Sequence, residues 1–440
     1  MTVKRKHVLL MALGLIPLAL LFINTSRAAD TPPRIFDVKE LGAKGDGKTL
    51  DTDAIQKALD ECAKAGGGTV RFPAGTYLSK PIVLRSSSTT VQLDAGATLL
   101  ATDDPADFAG SKPNSFIPFV GGKNLHDVTI TGQGTIDGSG AKWWIPAEAA
   151  RQKTPGYTLP RPNLVVLTGC TNLRIVNITL QNSPKFHLVP TDCDGVIISN
   201  VTVLAPEGAA NTDAIDPSAC RNVLITKCRI AVGDDNVAIK AGKAMPGRPF
   251  ACENITITDC TCLHGHGISI GGETAGGVRN VTVRNCTFEN TENGIRIKSQ
   301  RGRGGVVENI SYSDITMKNV YPAITLTSYY MSNSAGDANQ KTEPTKDTVQ
   351  AIVAGTPIYR NIHIKNLTAT SQKAAGIIIG LPESLISDVT LENVQITSAT
   401  TGLKIQNAKG IQFKNVQITA QQGPPVIMDN AEVTGIAVVK

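Results

Sequence analysis

Asp213, Asp234, Asp235 and His266 are the side chains of this sequence best suited to moving protons, and they fall at matching distances from four short apolar runs. The segments AIDP, VAIK, ISIG and IRIK align on Ile215, Val237, Ile268 and Ile295 as inward-facing starts, each preceded by turn residues. Two residues before each start stand Asp213, Asp235, His266 and Asn293. One residue after stand Asp216, Ala238, Ser269 and Arg296, and Lys298 shares the face of Arg296. If the runs stack as parallel strands about 4.8 Å apart, the carboxylates, an imidazole and two cations lie along one edge of one sheet. Carboxylates that close cannot all ionise freely, so one should keep its proton near neutral pH beside another that has lost it. Glycosidic cleavage requires such an acid next to a base, and a guanidinium with an ammonium suits a carboxylate on the substrate. Asp residues often merely cap turns, and an outward Arg and Lys are often a solvated face. Three aspartates in register with a histidine exceed what turn capping explains. With Ile324 as the next inward start, Thr325, Thr327 and Tyr329 continue the outward face, where Tyr329 could stack on a sugar ring or donate to it. His187 and His363, each alone at a turn, are taken as structural or solvated.

The element that must position these residues is legible as a repeat. From Asn172 onward Asn or Gly followed by apolar-x-apolar recurs as NLRI, GVII, NVLI, NITI, NVTV, NISY and NIHI, the first six at steps of 23 to 32 residues. Each step holds two or three short β-rich runs broken by Gly, Asn and Asp. This predicts an all-β chain wound as a right-handed, single-stranded parallel β-helix, each coil burying its inward side chains on the next. The repeated Asn would form an amide ladder at the turn. Several copies read N-x-[ST], a glycosylation acceptor in a secreted eukaryotic protein, but their coincidence with the repeat favours the structural role. One short N-terminal helix is expected to seal the open end: Asp51 or Asp53 can cap it, and Ala54, Ile55, Ala58, Leu59 and Cys62 form its apolar stripe. Trp143 to Pro162 and Met331 to about Gln350 lack a strand period and are expected to be loops shaping a groove.

Composition narrows the class further. The 440 residues are 41% hydrophobic but only 4% aromatic, which suits a large core of small aliphatic side chains. Of the net +6, Lys4, Arg5, Lys6 and Arg27 lie in the leader, so the remaining body is too weakly charged to argue for nucleic acid. That leader, MTVKRKH followed by an apolar run to Ile23 and Ser26-Arg-Ala28, is expected to be a signal peptide over residues 1–28, with 29–440 as one exported domain. An uncleaved anchor is the alternative. The expected product is a secreted or periplasmic monomer, with no stable membrane association once the leader is removed. Nine cysteines include two columns spaced with the repeat, Cys170, Cys193, Cys220, Cys252 and Cys228, Cys260, Cys286, which are expected to be buried thiols rather than bridges.

The segments Asn211-Thr212-Asp213, Gly233-Asp234-Asp235, Gly265-His266-Gly267 and Arg296-Ile297-Lys298, in this order, resemble the signature of glycoside hydrolase family 28, the polygalacturonase family. The likeness extends to FDVKELGAKGDGKTLDTDAIQKAL, GGTVRFPAGTYL and DGSGAKWW, and so spans nearly the whole chain after the leader. It implies hydrolysis of α-1,4 bonds between galacturonates of pectin homogalacturonan, with inversion and with no metal or cofactor. It also implies roles: Asp234 as general acid, Asp213 and Asp235 activating water, and His266 holding the protonation state of the acid. Asn211, Asp216, Arg296, Lys298 and Tyr329 would contact the substrate. Asn236 departs from the Cys or Ala found in many relatives. Inversion is implied only by the resemblance, because neighbouring rungs alone might suggest the shorter carboxyl separation of retaining enzymes. Endo or exo action and a xylogalacturonan substrate stay open. A pectate lyase, with Ca²⁺ on the aspartates, and a non-catalytic β-helical adhesin are the rivals. The histidine and the Arg-Ile-Lys strand speak against the first, and the cost of crowding three aspartates speaks against the second.

Overall fold

The repeat is realised as stacked rungs. The computed structural model describes residues 34–154, 157–242, 251–330 and 347–436, and in it every strand ladder is parallel. Leu173, Val196, Val223, Ile255, Val281, Ile310, Ile362 and Val389 lie one over another. Two residues on, Ile175, Ile198, Ile225, Ile257, Val283, Tyr312, Ile364 and Leu391 do the same. Both columns are buried, whereas the residues between them face outward. No coil could bury its inner side chains alone, so stacking supplies the core. The result is the expected right-handed parallel β-helix.

Turn chemistry fixes where each rung bends. Asn222, Asn254, Asn280 and Asn309 all take the left-handed conformation, with φ of 56°, 58°, 57° and 57°, which Asn tolerates better than other non-glycine residues. Their amides form the ladder: Asn254, Asn280 and Asn309 each donate Nδ2 to the Oδ1 of the preceding Asn at 3.1 Å. Replacing Asn254 by Ala should cost about 1–3 kcal/mol, because it adds left-handed strain to the lost bonds. Asn254→Gly should recover the strain component, and thermal melts of the pair separate the two terms.

The cysteine columns lie inside these coils. All nine cysteines are buried free thiols, and their sulfurs join the backbone network. Cys252 Sγ accepts from the Cys220 amide at 3.2 Å and Cys193 Sγ donates to the Leu167 carbonyl at 3.3 Å.

Helix α1, Thr52–Lys64, turns Ile55, Ala58, Leu59 and Cys62 onto the first coils, with Ala54 only partly covered. Asp51 stands at its N-cap position but does not cap it. Its carboxylate instead accepts from the Lys44 and Gly45 amides at 2.6 and 2.9 Å. A second helix, α2 (Ala141–Lys153), replaces most of the loop expected from Trp143. Pro146 and a lack of apolar periodicity hid it. Trp143 meets Phe108 and Phe116 edge-on, at 5.8 and 5.3 Å between centroids, and Trp144 Nε1 donates to the Ser183 carbonyl at 2.9 Å. Tertiary packing rather than propensity therefore holds α2. The leader and most of the Met331 loop lie outside the described residues. Among those described, no helix is long and apolar enough to cross a membrane.

Candidate active site

Five short strands carry the site: β1 (Leu188–Thr191), β2 (Val237–Ile239), β3 (Ile268–Gly271), β4 (Ile295–Lys298) and β5 (Ile324–Thr327). Leu188, Ile215, Val237, Ile268, Ile295 and Ile324 are successive partners, so the register read from the sequence is the observed one. Backbone bonds run through the turn ahead of the strands: the Ala214 amide reaches Asp235 O at 2.9 Å and the His266 amide reaches Asp234 O at 2.8 Å. The Gly-His-Gly turn requires its glycines. A Cβ on Gly265 would lie 2.6 Å from Asp234 O, and one on Gly267 would lie 2.2 Å from Asn293 O. Asn236 belongs to the same support. It donates Nδ2 to His264 O at 2.9 Å and accepts the Gly267 amide at 2.8 Å, which fixes the turn that presents His266.

Three ionic groupings result. In the first, His266 Nδ1 lies 2.9 Å from Asp234 Oδ1 and Nε2 lies 3.1 Å from Glu292 Oε2. Burial alone would lower the His266 pKa, but the two carboxylates, Asp234 foremost, hold it well above the usual histidine value. Burial likewise opposes charge on Asp234, yet the imidazolium keeps that carboxyl well below the ordinary range. Asn211 Nδ2 approaches Asp234 Oδ2 at 3.4 Å, and Asn211 is itself held by buried Arg161 at 2.7 Å.

In the second grouping, Asp235 receives Lys298 Nζ at 2.8 Å, Ser269 Oγ at 2.7 Å and a guanidinium nitrogen of Arg296 at 3.3 Å. Arg296 and Lys298 are thus buried, not solvated, and the Tyr330 ring lies 5.5 Å from the guanidinium and 4.8 Å from the ammonium. In the third, Lys240 Nζ bridges Asp213 at 3.0 Å and Asp216 at 2.5 Å. Burial, reinforced by Asp216, raises Asp213 well above the carboxylate range. Burial also pushes Asp216 up to about 6. Of the catalytic carboxyls Asp213 is therefore the one most disposed to take up a proton, while Asp234 is held ionised against the imidazolium.

A cleft lined by Asn211, Asp213, Asp234, Asp235, Lys298 and Tyr330 opens over these groups. Tyr329, expected there from strand parity, is not among the lining residues. Its hydroxyl donates to Asp347 at 2.6 Å, within a cluster in which Arg301 also grips Asp347 and Glu383, both at 2.7 Å. Strand β5 ends at Thr327, so alternation no longer dictates direction two residues later, and Tyr330 enters the cleft instead. His187 is buried beneath the site, 3.1 Å from Asp213 O, and burial holds it at about 4, hence neutral. The sequence reading also missed Glu292 and Lys240. Glu292 stands just before the singled-out Asn293, and Lys240 closes the VAIK segment itself.

Ligand atoms of Asp234, Asp235 and His266 lie within 4.8 Å of one another, close enough for a metal ion. The arrangement suits one poorly. Lys298 and Arg296 already sit on Asp235, and His266 is shared between two carboxylates. A Ca²⁺ ion would have to coexist with fixed positive charge.

Comparison with known proteins agrees with this geometry. Residues 62–417 match the model of glycosyl hydrolases family 28. An endo-polygalacturonase of Pectobacterium carotovorum subsp. carotovorum is 34% identical, over 94% of this chain and 98% of its own. The polygalacturonase from Erwinia carotovora ssp. carotovora superposes with TM-score 0.68 at 30% identity, over 93% of this chain and 100% of that one. An exopolygalacturonase from Thermotoga maritima gives TM-score 0.72 at 28% identity, over 90% and 92%. With a family match across most of its length, and with the signature residues gathered in one cleft, this chain belongs to glycosyl hydrolases family 28.

Proposed function

We propose that the protein is a polygalacturonase that hydrolyses α-1,4-galacturonosidic bonds in the homogalacturonan of pectin by acid–base catalysis with inversion. The carrying observation is the Asp234–His266–Glu292 chain of contacts at 2.9 and 3.1 Å beside the cation-bound Asp235. An ionised Asp234 against an imidazolium holds the same single proton as a neutral acid against an imidazole, so moving that proton across the contact readies Asp234 to protonate the leaving oxygen. Glu292 is half-exposed and links buried His266 to solvent, from which the proton is replaced after each turnover. Asp235 and Asp213, on adjacent rungs, orient and deprotonate the water, and Asp213 serves as base once it has lost its own proton. Arg296 and Lys298 neutralise the uronate beyond the scissile bond, with Tyr330 packed on them. Asn211 steadies Asp234, while Asp216 acts through Lys240. No resident metal is invoked. The leader fits export as a secreted or periplasmic monomer.

Polygalacturonate treated with the enzyme in excess chelator should gain reducing ends without ultraviolet-absorbing unsaturated products. Chelator-sensitive release of unsaturated ends would instead establish lyase chemistry. Product sizing in the same reaction separates modes of action: a ladder of oligomers means endo cleavage, and monomer or dimer alone means exo.

A further inference from the structure

The cations that answer a uronate substrate are not confined to the Arg296 side. The column Asp213, Asp235, His266, Asn293 extends one rung toward the N-terminus to Phe186, two residues before Leu188, the strand partner of Ile215. The Phe186 ring has two ammoniums near it, Lys240 Nζ at 4.1 Å and Lys185 Nζ at 4.6 Å from its centroid. Lys240 is committed to Asp213 and Asp216. Lys185 is not committed: among the described residues its ammonium has neither a carboxylate nor a hydrogen-bond acceptor, although it is partly buried and lines the same cleft as Asp213, Asp234 and Asp235. Arg161 adds a third, fully enclosed positive charge behind it, its donors spent on the carbonyls of Pro184 and Ala210 and on Asn211. Burial foremost, then the Arg161 and Lys240 charges, disfavours the Lys185 ammonium, while Asp213 and Asp216 favour it only from beyond ion-pair contact. A cation held in a cleft against desolvation and like charge, with no carboxylate in ion-pair contact among the described residues, is complementary to an anion that arrives with the ligand.

We propose that Lys185, positioned by Phe186, forms a carboxylate subsite for a second uronic acid residue, on the side of the catalytic aspartates opposite Arg296 and Lys298. Two rungs separate the Phe186 position from that of Asp235, on which Arg296 and Lys298 close, roughly 10 Å at the usual strand spacing, so one acidic chain lying along the cleft is gripped on both sides of the reactive section. The cation–π contacts fix the ammonium in place. The subsite rests on the polygalacturonase reading, and it explains how an uncharged or fully esterified polysaccharide is discriminated against at a second point.

The test compares the parent with Lys185→Met and Lys185→Arg. For Lys185→Met, KM on polygalacturonate should rise about tenfold or more, as for a lost charge-assisted contact, with the loss in KM rather than kcat, and Lys185→Arg should restore most of it. Calorimetric titration of trigalacturonate into Asp234→Asn, with and without Lys185→Met, reads the same subsite with turnover strongly slowed. Weaker binding by the double variant is expected, and equal binding overturns the subsite. Lys185→Met should also melt no lower than the parent, because an uncompensated cation is removed. A lower melting temperature with unchanged affinity would make Lys185 a structural residue. Should the parent release no reducing ends, the polygalacturonase reading falls, while the titration still decides whether Lys185 meets a uronate.

Discussion

Asp234→Asn is expected to lower kcat on polygalacturonate by about 10²–10⁴-fold, the range typical of losing a positioned general acid, with the fold intact by circular dichroism. The substitution keeps the size of the side chain and its contact with Asn211, and removes the group through which the His266 proton reaches the leaving oxygen. The pH profile distinguishes this assignment from one in which Asp213 is the acid. If the Asp234–His266 pair supplies the proton, kcat/KM falls on the alkaline side as the pair deprotonates. Since His266 is held well above its ordinary value, that limb lies well above pH 6.5. Glu292→Gln removes one of the two carboxylates that hold the imidazolium, so it should move the alkaline limb to lower pH while leaving Asp234 in place. The acid limb should follow Asp213, whose raised pKa delays its service as a base. An Asp234→Asn enzyme as fast as the parent, or an alkaline limb unmoved by Glu292→Gln, would refute the relay.

How far such a site can be read without coordinates depends on what alternation encodes. Parity along a strand assigns faces, so Ile215, Val237, Ile268 and Ile295 were recognisable as one buried column, and Asp213, Asp235 and His266 followed as neighbours. Parity does not encode reach. Arg296 and Lys298 were placed on the right face, but their long side chains bend back two rungs or so onto Asp235 and are buried there. Lys185 and Glu292 lie in turns, where no period exists to assign them a face, and both entered the site only through coordinates. Tyr329 and Tyr330 show the same limit at a strand end. Helix α2 was illegible for a different reason: its apolar residues, Trp143, Trp144 and Ile145, are consecutive rather than spaced at a helical period. The Asn turns were legible because each must satisfy the same left-handed geometry, which only a few residue types tolerate.

The largest effect on stability is expected from Lys240→Met. Lys240 is the cation that Asp213 and Asp216 share, and both carboxyls are buried, each with one oxygen, Oδ1, that meets no partner among the described residues. Removing the ammonium strands two acids in low dielectric, and breaking a buried pair in this way costs about 3–5 kcal/mol. The loss should depend on pH, with a definite sign. Burial pushes Asp216 in the folded protein up to about 6, and Asp213 is also raised above the ordinary carboxylate value of 3.8. Between that unfolded value and the folded ones, the native state binds more protons than the unfolded chain, so stability falls as pH rises through about 4 to 6. Without Lys240 both folded pKa values climb further, and the decline steepens and extends to higher pH. Melts should therefore place Lys240→Met close to the parent near pH 4 and far below it at pH 7. The lost cation–π contact with Phe186 contributes only a smaller, pH-independent offset. Adding Asp216→Asn to Lys240→Met should recover part of the loss at pH 7, because one of the stranded charges is gone. A deficit equal at both pH values would mean that Lys240 acts by packing, and the electrostatic account of the Asp213 side of the site would have to be abandoned.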